Sequence, residues 1–250
     1  MKAVVTLLIL LIPYVEFGQN VNIPDANFKT YLVGNSAINT NGDFQIQVSE
    51  AASFNGEINC YNMNISDLTG VESFTDLTNL TCSNNQLTSI DLSYNTALTF
   101  LNCGNNQLTS IDVSGATALS FLRVSENQLT ILDVSTNTAL TFLYCLNNQL
   151  INLDLRNGNN TEMTVSLTDN PDLLCINVDD SQWSSENWFE IDTQHLFSED
   201  CNMTSLDDLK LNNKIKISEF DLFGRKTKIK NQPVIKIYND GTVEKKVIIE

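Results

Sequence analysis

Apolar positions recur along the middle of the chain with a fixed period. Leu77, Leu98, Leu119 and Leu140 stand 21 residues apart, as do Leu80, Leu101, Leu122 and Leu143. A third column holds Cys82, Cys103, Val124 and Cys145, and a fourth holds Asn85, Asn106, Asn127 and Asn148. Written as L-x-x-L-x-C-x-x-N-x-L, the unit alternates about its second leucine, which predicts a short strand with that leucine and the Cys place turned inward. One such strand cannot bury its own face. The copies therefore stack as parallel strands about 4.8 Å apart around a shared core. The recurring Asn falls where the chain leaves the strand, and a buried carboxamide there must be satisfied by amides and carbonyls of its own and the adjoining coil.

The second half of each unit repeats the first. Leu87-Thr-Ser-Ile90-Asp-Leu92-Ser-Tyr-Asn95 is itself L-x-x-L-x-L-x-x-N, so each 21-mer nests units of 11 and 10 residues. These columns resemble the leucine-rich repeat family, and the nesting is similar to the bacterial subclass called IRREKO. The resemblance implies a mostly β solenoid of 21-residue coils with parallel strands, and short extended segments on both sides of the coil in place of outer helices. Ile58, Cys60, Ile65, Leu68 and Val71 align with the columns at a 22-residue offset, and Val165, Leu167 and Asn170 resume them after a looser stretch at 156–160. Repeats are expected over 56–170, in about five and a half coils.

The flanks read as caps. Residues 20–55 form the N-terminal one, where Pro24, Phe28, Tyr31 and Leu32 predict a short amphipathic helix. The stretch from Asn39 to Glu50 resembles an EF-hand calcium loop, with Asn39, Asn41, Asp43 and Glu50 at the first, third, fifth and twelfth places, the Gln45 carbonyl as a further ligand and Ile46 at the apolar eighth. Asn39 replaces the usual Asp and Phe44 the usual glycine. The same residues also read as a polar turn capping a helix at 49–53. Residues 171–204, with Trp183 and Trp188, cover the other end. Stacked, parallel side chains suit a disulfide badly, so Cys60, Cys82, Cys103 and Cys145 are read as free interior thiols and Cys175 with Cys201 as the bridge.

Charge is uneven. Residues 20–204 carry three basic side chains, Lys29, Arg123 and Arg156, against 22 acids, a net charge of −19, whereas 205–250 come to +3. So acidic a surface repels phosphate backbones and excludes nucleic acid as a partner. Part of the excess is periodic, since Asp91, Asp112, Asp133 and Asp154 form one outward column. Neighbours in it would repel by about 0.8 kcal/mol in water, and hydroxyls such as Ser89 and Ser110, or a divalent cation, are the candidate compensators. Because protonation also removes that repulsion, acid is expected to leave the repeat core little weakened.

Residues 1–19 read as an export leader, with Lys2, an apolar run from Ala3 to Ile12 and Pro13, the other reading being a buried strand. No other stretch is apolar enough to cross a membrane. In the tail, Ile215 to Lys226 alternates into a strand ending at Gly224-Arg225, and 234–250 read as two strands about Asn239-Asp240-Gly241. These motifs resemble the C-terminal sorting domain of the type IX secretion system of Bacteroidetes, without the Tyr-Pro-Asn-Pro segment that commonly opens it. The resemblance implies recognition by that machinery and removal of 205–250; a small structural β-domain is the other reading.

Catalytic chemistry is sparse, with His195 the one histidine and no nucleophile elbow, zinc-protease helix motif or phosphate loop. No enzyme is read here. What varies between copies is the strand's exposed flank: Asn79, Phe100, Phe121 and Phe142 before the second leucine, Thr81, Asn102, Arg123 and Tyr144 after it. Phe100, Phe121 and Phe142 with Arg123 and Tyr144 are the candidate binding residues on the concave face, as an exposed apolar stripe, set against mere drift of copied repeats. The resulting expectation is a secreted or cell-surface leucine-rich repeat protein recognising a protein or glycan. The alternative is a calcium-dependent structural or adhesive module.

Overall fold

The computed structural model describes residues 18–201 and, beyond them, three strands of the tail. Most of the expected leader, and both turns of the tail, lie outside the described residues. The repeats build a parallel solenoid. Its long sheet stacks β1 (Glu57–Asn59), β2 (Asn79–Thr81), β3 (Phe100–Asn102), β4 (Phe121–Arg123), β6 (Phe142–Tyr144) and β8 (Thr164–Ser166) in that order. Each strand is three residues with the middle one buried, so Ile58, Leu80, Leu101, Leu122, Leu143 and Val165 form one inward column. The ladder runs on past each strand, as in Cys82 N–H to Asn102 O at 2.8 Å and Cys103 N–H to Arg123 O at 2.9 Å. Six strands stand where the repeat count suggested five and a half coils, because β8 stacks in register despite one extra residue before it.

The nested half-repeat makes a second sheet on the other side of the coil. β5 (Ile131–Asp133), β7 (Asn152–Asp154), β9 (Cys175–Asn177) and β10 (Leu196–Ser198) pair in parallel there. This is the mostly β, helix-poor coil that the nesting implied. Between the sheets runs one continuous cluster of buried side chains from Val21 to Phe197, the four column cysteines within it. Burial pushes the thiols of Cys60, Cys103 and Cys145 up to about 12, so they remain protonated and inert at neutral pH.

Two asparagine columns hold the turns, one of them Asn95 and Asn137 of the nested half-repeat, which donate to carbonyls of the preceding coil, and the other the column of Asn106. Asn106 donates to Cys82 O at 3.1 Å and Cys103 O at 3.0 Å and accepts from Leu87 N at 3.0 Å. Asn127, Asn148 and Asn170 repeat the pattern, each tying its own coil to the preceding one. The residue before each of these asparagines is left-handed: Asn84, Asn105, Glu126, Asn147 and Asp169 have φ between 53° and 60°. Asn and Asp tolerate that region better than most residues; Glu126 does not share the advantage.

Both ends are closed. Helix α1 (Ala26–Gly34) buries Phe28 and Leu32, and the Tyr31 hydroxyl accepts the Asn59 N–H at 2.8 Å, satisfying an edge group of β1. Helix α2 (Val48–Ser53) starts with a reciprocal cap between Gln47 and Glu50, where an Asn or Asp cap was expected. At the other end α3 (Ser181–Asn187) begins on Asp180 and leads to Trp188, which packs edge-on against Trp183 and Phe197 and donates its indole N–H to Met163 O at 3.1 Å. Cys175 and Cys201 are disulfide-bonded, with Cα atoms 5.9 Å apart. In the tail, β11 (Lys216–Asp221), β12 (Pro233–Tyr238) and β13 (Val243–Val247) form an antiparallel sheet. No helix among the described residues is long and apolar enough to cross a membrane.

Candidate functional site

Alternation along each strand of the long sheet leaves two outward columns, and register alignment makes them continuous. Phe100 pairs with Phe121 and Phe121 with Phe142; beside them Asn102 pairs with Arg123 and Arg123 with Tyr144. All five sequence-predicted binding residues thus share one face. They do not form the open stripe expected of them. The rings of Phe100 and Phe121 lie nearly parallel with centroids 4.4 Å apart, and Phe121 also meets Phe142 at 6.2 Å and Tyr144 at 5.6 Å. Stacking at the strand spacing covers ring faces, so Phe100, Phe121 and Tyr144 are half-buried and only Phe142, at 43% exposure, is classed as exposed.

Toward β1 the aromatic cluster gives way to a polar groove of about 430 Å³. Asn59, Thr81, Asn102 and Arg123 line it from the strands, and Tyr61, Ser83, Asn84, Gly104, Asn105 and Glu126 from the turns that follow. Sequence reasoning singled out Arg123 and missed the rest of this wall. The signal was available in the Asn-Asn doublets, whose first member is forced outward by its left-handed backbone. Gly104 leaves room at the floor of this wall: a Cβ there would come within 3.3 Å of Ser125 O and 3.4 Å of Arg123 Nε.

Arg123 is the one basic residue of 18–201 with no partner. Lys29 donates to Gln45 Oε1 at 2.8 Å, and Arg156 grips the Asp154 carboxylate. No carboxylate stands within ion-pair distance of Arg123 among the described residues, although the domain is strongly acidic. An exposed, unpaired guanidinium keeps its five donors available for a planar anion.

The residues of the calcium-like loop divide. Asn41 and Gln47 both reach Asp43 Oδ2 with their amide heads, at 3.3 and 3.1 Å, so these three side chains converge; Gln47, at the ninth place, was not among the expected ligands. Asn39 is buried and ties Val33 O, Asp43 O and Gly42 N. Glu50 is turned away to the protein: Oε1 accepts from Thr40 N, Thr40 Oγ1 and Asn41 N, and Oε2 from Gln47 N. Burial alone would raise the Glu50 carboxyl, but these donors hold it below the usual carboxylate range. The left-handed residue of the turn is Gly42, with φ 72°, so Phe44 at the usual glycine place carries no such demand.

The outward aspartates find a different compensator from the one expected. Asp91, Asp112 and Asp133 each accept the backbone N–H two residues on, from Ser93, Ser114 and Ser135, at 2.8 to 3.0 Å. Ser89 and Ser110 are not their donors. These local hydrogen bonds hold Asp91 and Asp112 below the usual range. His195 is buried, its Nδ1 accepting the Asp192 N–H at 3.2 Å, and burial lowers its pKa. It is therefore a neutral structural group at pH 7.

Residues 75–115 match the family model described as leucine-rich repeats in two copies. Over 39 residues the chain is 49% identical to internalin J of Listeria monocytogenes, a segment that is 16% of this chain and 4% of that protein. The solved functional domain of internalin J from Listeria monocytogenes, described as including a cysteine ladder, superposes with a TM-score of 0.51 at 34% identity, over 64% of this chain and 38% of that one. Internalin C2 of the same organism superposes with a TM-score of 0.54 over 74% of this chain and 92% of its own, at 15% identity, a likeness of fold alone. The chain thus spans well under half the length of internalin J and of its solved domain. Residues 75–115 carry a leucine-rich repeat signature, and the solenoid has a fold like that of these solved internalin structures.

Proposed function

We propose that this chain is a secreted or cell-surface binding protein that recognises a protein or glycan through the face of its six-stranded sheet. The observation that carries the reading is Arg123, an unpaired cation between an aromatic cluster and an amide-lined groove on the most acidic part of the chain. A guanidinium without a carboxylate partner among the described residues keeps its donors free for a ligand, and the stacked strands fix the backbone position from which it is presented. Catalysis is not part of the proposal, since the one histidine is held inside the C-terminal end. Export rests on the apolar leader at 1–19 and on the likeness of 205–250 to a type IX sorting domain, with that secretion machinery as a second partner. Intact mass of secreted protein tests it, a full-length mass being the adverse result.

Binding is tested by glycan array and pull-down with the mature chain against a variant carrying Arg123→Gln and Phe142→Ala. Capture should fall on the double variant and persist on Ser114→Ala, which alters the opposite side of the coil. Equal capture by all three would move the ligand off this face.

Calcium is proposed at the loop only through Asp43, with Asn41 and Gln47 beside it, and it supplies charge neutralisation there. Melting in calcium against chelator should show a small rise that Asp43→Ala removes. Glu50→Gln should lower both melts equally, because that carboxylate already serves four protein donors. Calcium-dependent self-association would instead support the adhesive reading.

A further inference from the structure

We propose that the groove around Arg123 takes a carboxylate-bearing sugar within an otherwise neutral glycan; this rests on the binding reading above and adds the chemical class of the ligand. The first ground is the polarity of the wall. Asn59 Oδ1 accepts the Tyr61 N–H, Asn102 Oδ1 accepts the Gly104 N–H at 3.2 Å, and Asn84 Oδ1 accepts the Asn105 amide. The carboxamide oxygens are thereby used within the protein, and the Nδ2 groups of Asn59, Asn84 and Asn102 are left with no protein partner, next to the five N–H groups of Arg123. Asn105, whose Nδ2 is the donor to Asn84, keeps its Oδ1 free, and the hydroxyls of Thr81 and Ser83 and the Glu126 carboxylate add acceptors. The wall therefore intersperses donors and acceptors around one guanidinium and calls for a ligand rich in both, with one anion.

Sugar hydroxyls and ring oxygens can accept from every such donor. Each hydroxyl also rotates to donate to the Asn105 and Glu126 oxygens, whereas a peptide backbone offers its N–H and C=O groups in fixed alternation and matches interspersed partners less well. The groove volume of about 430 Å³ lies within the range of small-ligand sites. Charge sets the number of anions. With −19 over 20–204 and Glu126 on the rim, a polyanion is repelled, whereas a single carboxylate on a single fork-shaped cation is accommodated.

The test is calorimetric titration of the full mature chain with matched probes: sialyllactose against lactose, a glucuronic-acid-terminated disaccharide against its glucose-terminated partner, and a hexapeptide with one glutamate. The acidic glycan should bind about tenfold or more tightly than its neutral partner, as a charge-assisted pair removed from water would give. Arg123→Gln should erase that preference with the fold intact by circular dichroism, and Arg123→Lys should retain part of it. Equal affinity for acidic and neutral glycans overturns this inference and leaves the binding face standing. Arg123-dependent binding of the peptide, with none of the glycans, overturns it in favour of a protein ligand, and silence toward every probe overturns it outright. The binding face itself falls only if capture is indifferent to the Arg123 and Phe142 double variant.

Discussion

One oxygen of the Asp25 carboxylate caps helix α1 through the N–H groups of Asn27 and Phe28, and the other holds Ser66, 41 residues further along, by its N–H at 2.9 Å and its hydroxyl at 3.1 Å. A single side chain thus joins the N-terminal cap to the first coil. Burial works to raise its pKa, but Ser66, Phe28 and Asn27 hold it below the usual range. Asp25→Ala should cost about 2 kcal/mol, more than an ordinary cap, because both oxygens lose partners. Urea unfolding measures it, and hydrogen exchange at Asn27 and Phe28 should accelerate; a loss no larger than that of a plain cap would mean that helix and coil are not coupled through this residue.

The two asparagine columns differ in a measurable way. Asn127→Ala leaves the buried Leu108 N–H without its acceptor and removes one of two carboxamide donors from Cys103 O and Val124 O, which keep Asn106 and Asn148, and should cost roughly 2 kcal/mol. Asn137 donates to Val113 O and Ala116 O, yet its Oδ1 has no partner and the equivalent place one coil earlier is already Ala116. Asn137→Ala should therefore cost about 1 kcal/mol, read from the same denaturant midpoints. Equal losses would show that the second column is as indispensable as the first.

Glu126 has φ 57° in a column otherwise held by Asn and Asp. Its side chain is exposed, so nothing in the core depends on it. Glu126→Asn should stabilise by about 0.5 kcal/mol, and Glu126→Gly by a similar amount through relief of the left-handed strain less its backbone entropy. Thermal melts at neutral pH decide it, and destabilisation by both would contradict the strain.

Acid should weaken the fold. Asp25, Glu50, Asp91, Asp112, Asp154 and Asp192 all have folded pKa values below the ordinary range, set by hydrogen bonds and, for Asp154, by Arg156. A depressed carboxylate contributes stability that is full above its unfolded pKa of about 4 and is lost as pH falls through the lower folded value. Stability should fall gently below about pH 6.5, where the unfolded chain protonates His195 and the buried imidazole resists, and decline more steeply below about pH 4 as the carboxylates protonate. A midpoint that holds or rises at pH 3 would restore the view, drawn from the periodicity of the aspartate column, that mutual repulsion dominates there.

Periodicity carried most of the architecture. A spacing of 21 residues with leucine, cysteine and asparagine columns is sufficient to specify parallel stacking and the inward face, since each coil can bury its apolar positions only against its neighbour, while the absence of outer helices came from the resemblance of the nested units to a known repeat subclass. The five residues proposed for binding were legible for the same reason: positions flanking a buried strand residue must point out. The partners of polar groups were not legible, because a repeat says which column a side chain occupies and nothing of which donor will reach it. Gln47 and Glu50 close a reciprocal cap within the loop drawn as a metal ligand set, and the aspartates are met two residues on, by the N–H groups of Ser93, Ser114 and Ser135 and the hydroxyls of Ser93 and Ser114, not by Ser89 or Ser110.

What the sequence by itself determined is the column: inward or outward, apolar or polar, once per turn of the coil. Only the tertiary structure decided the contacts between columns, and the physical reason is one of scale. Column identity follows from the two-residue period of a strand, whereas stacking of Phe100 on Phe121, the convergence of Asn41 and Gln47 on Asp43, and the isolation of Arg123 from the carboxylates of the described residues depend on rotamers and turn geometry within about 1 Å.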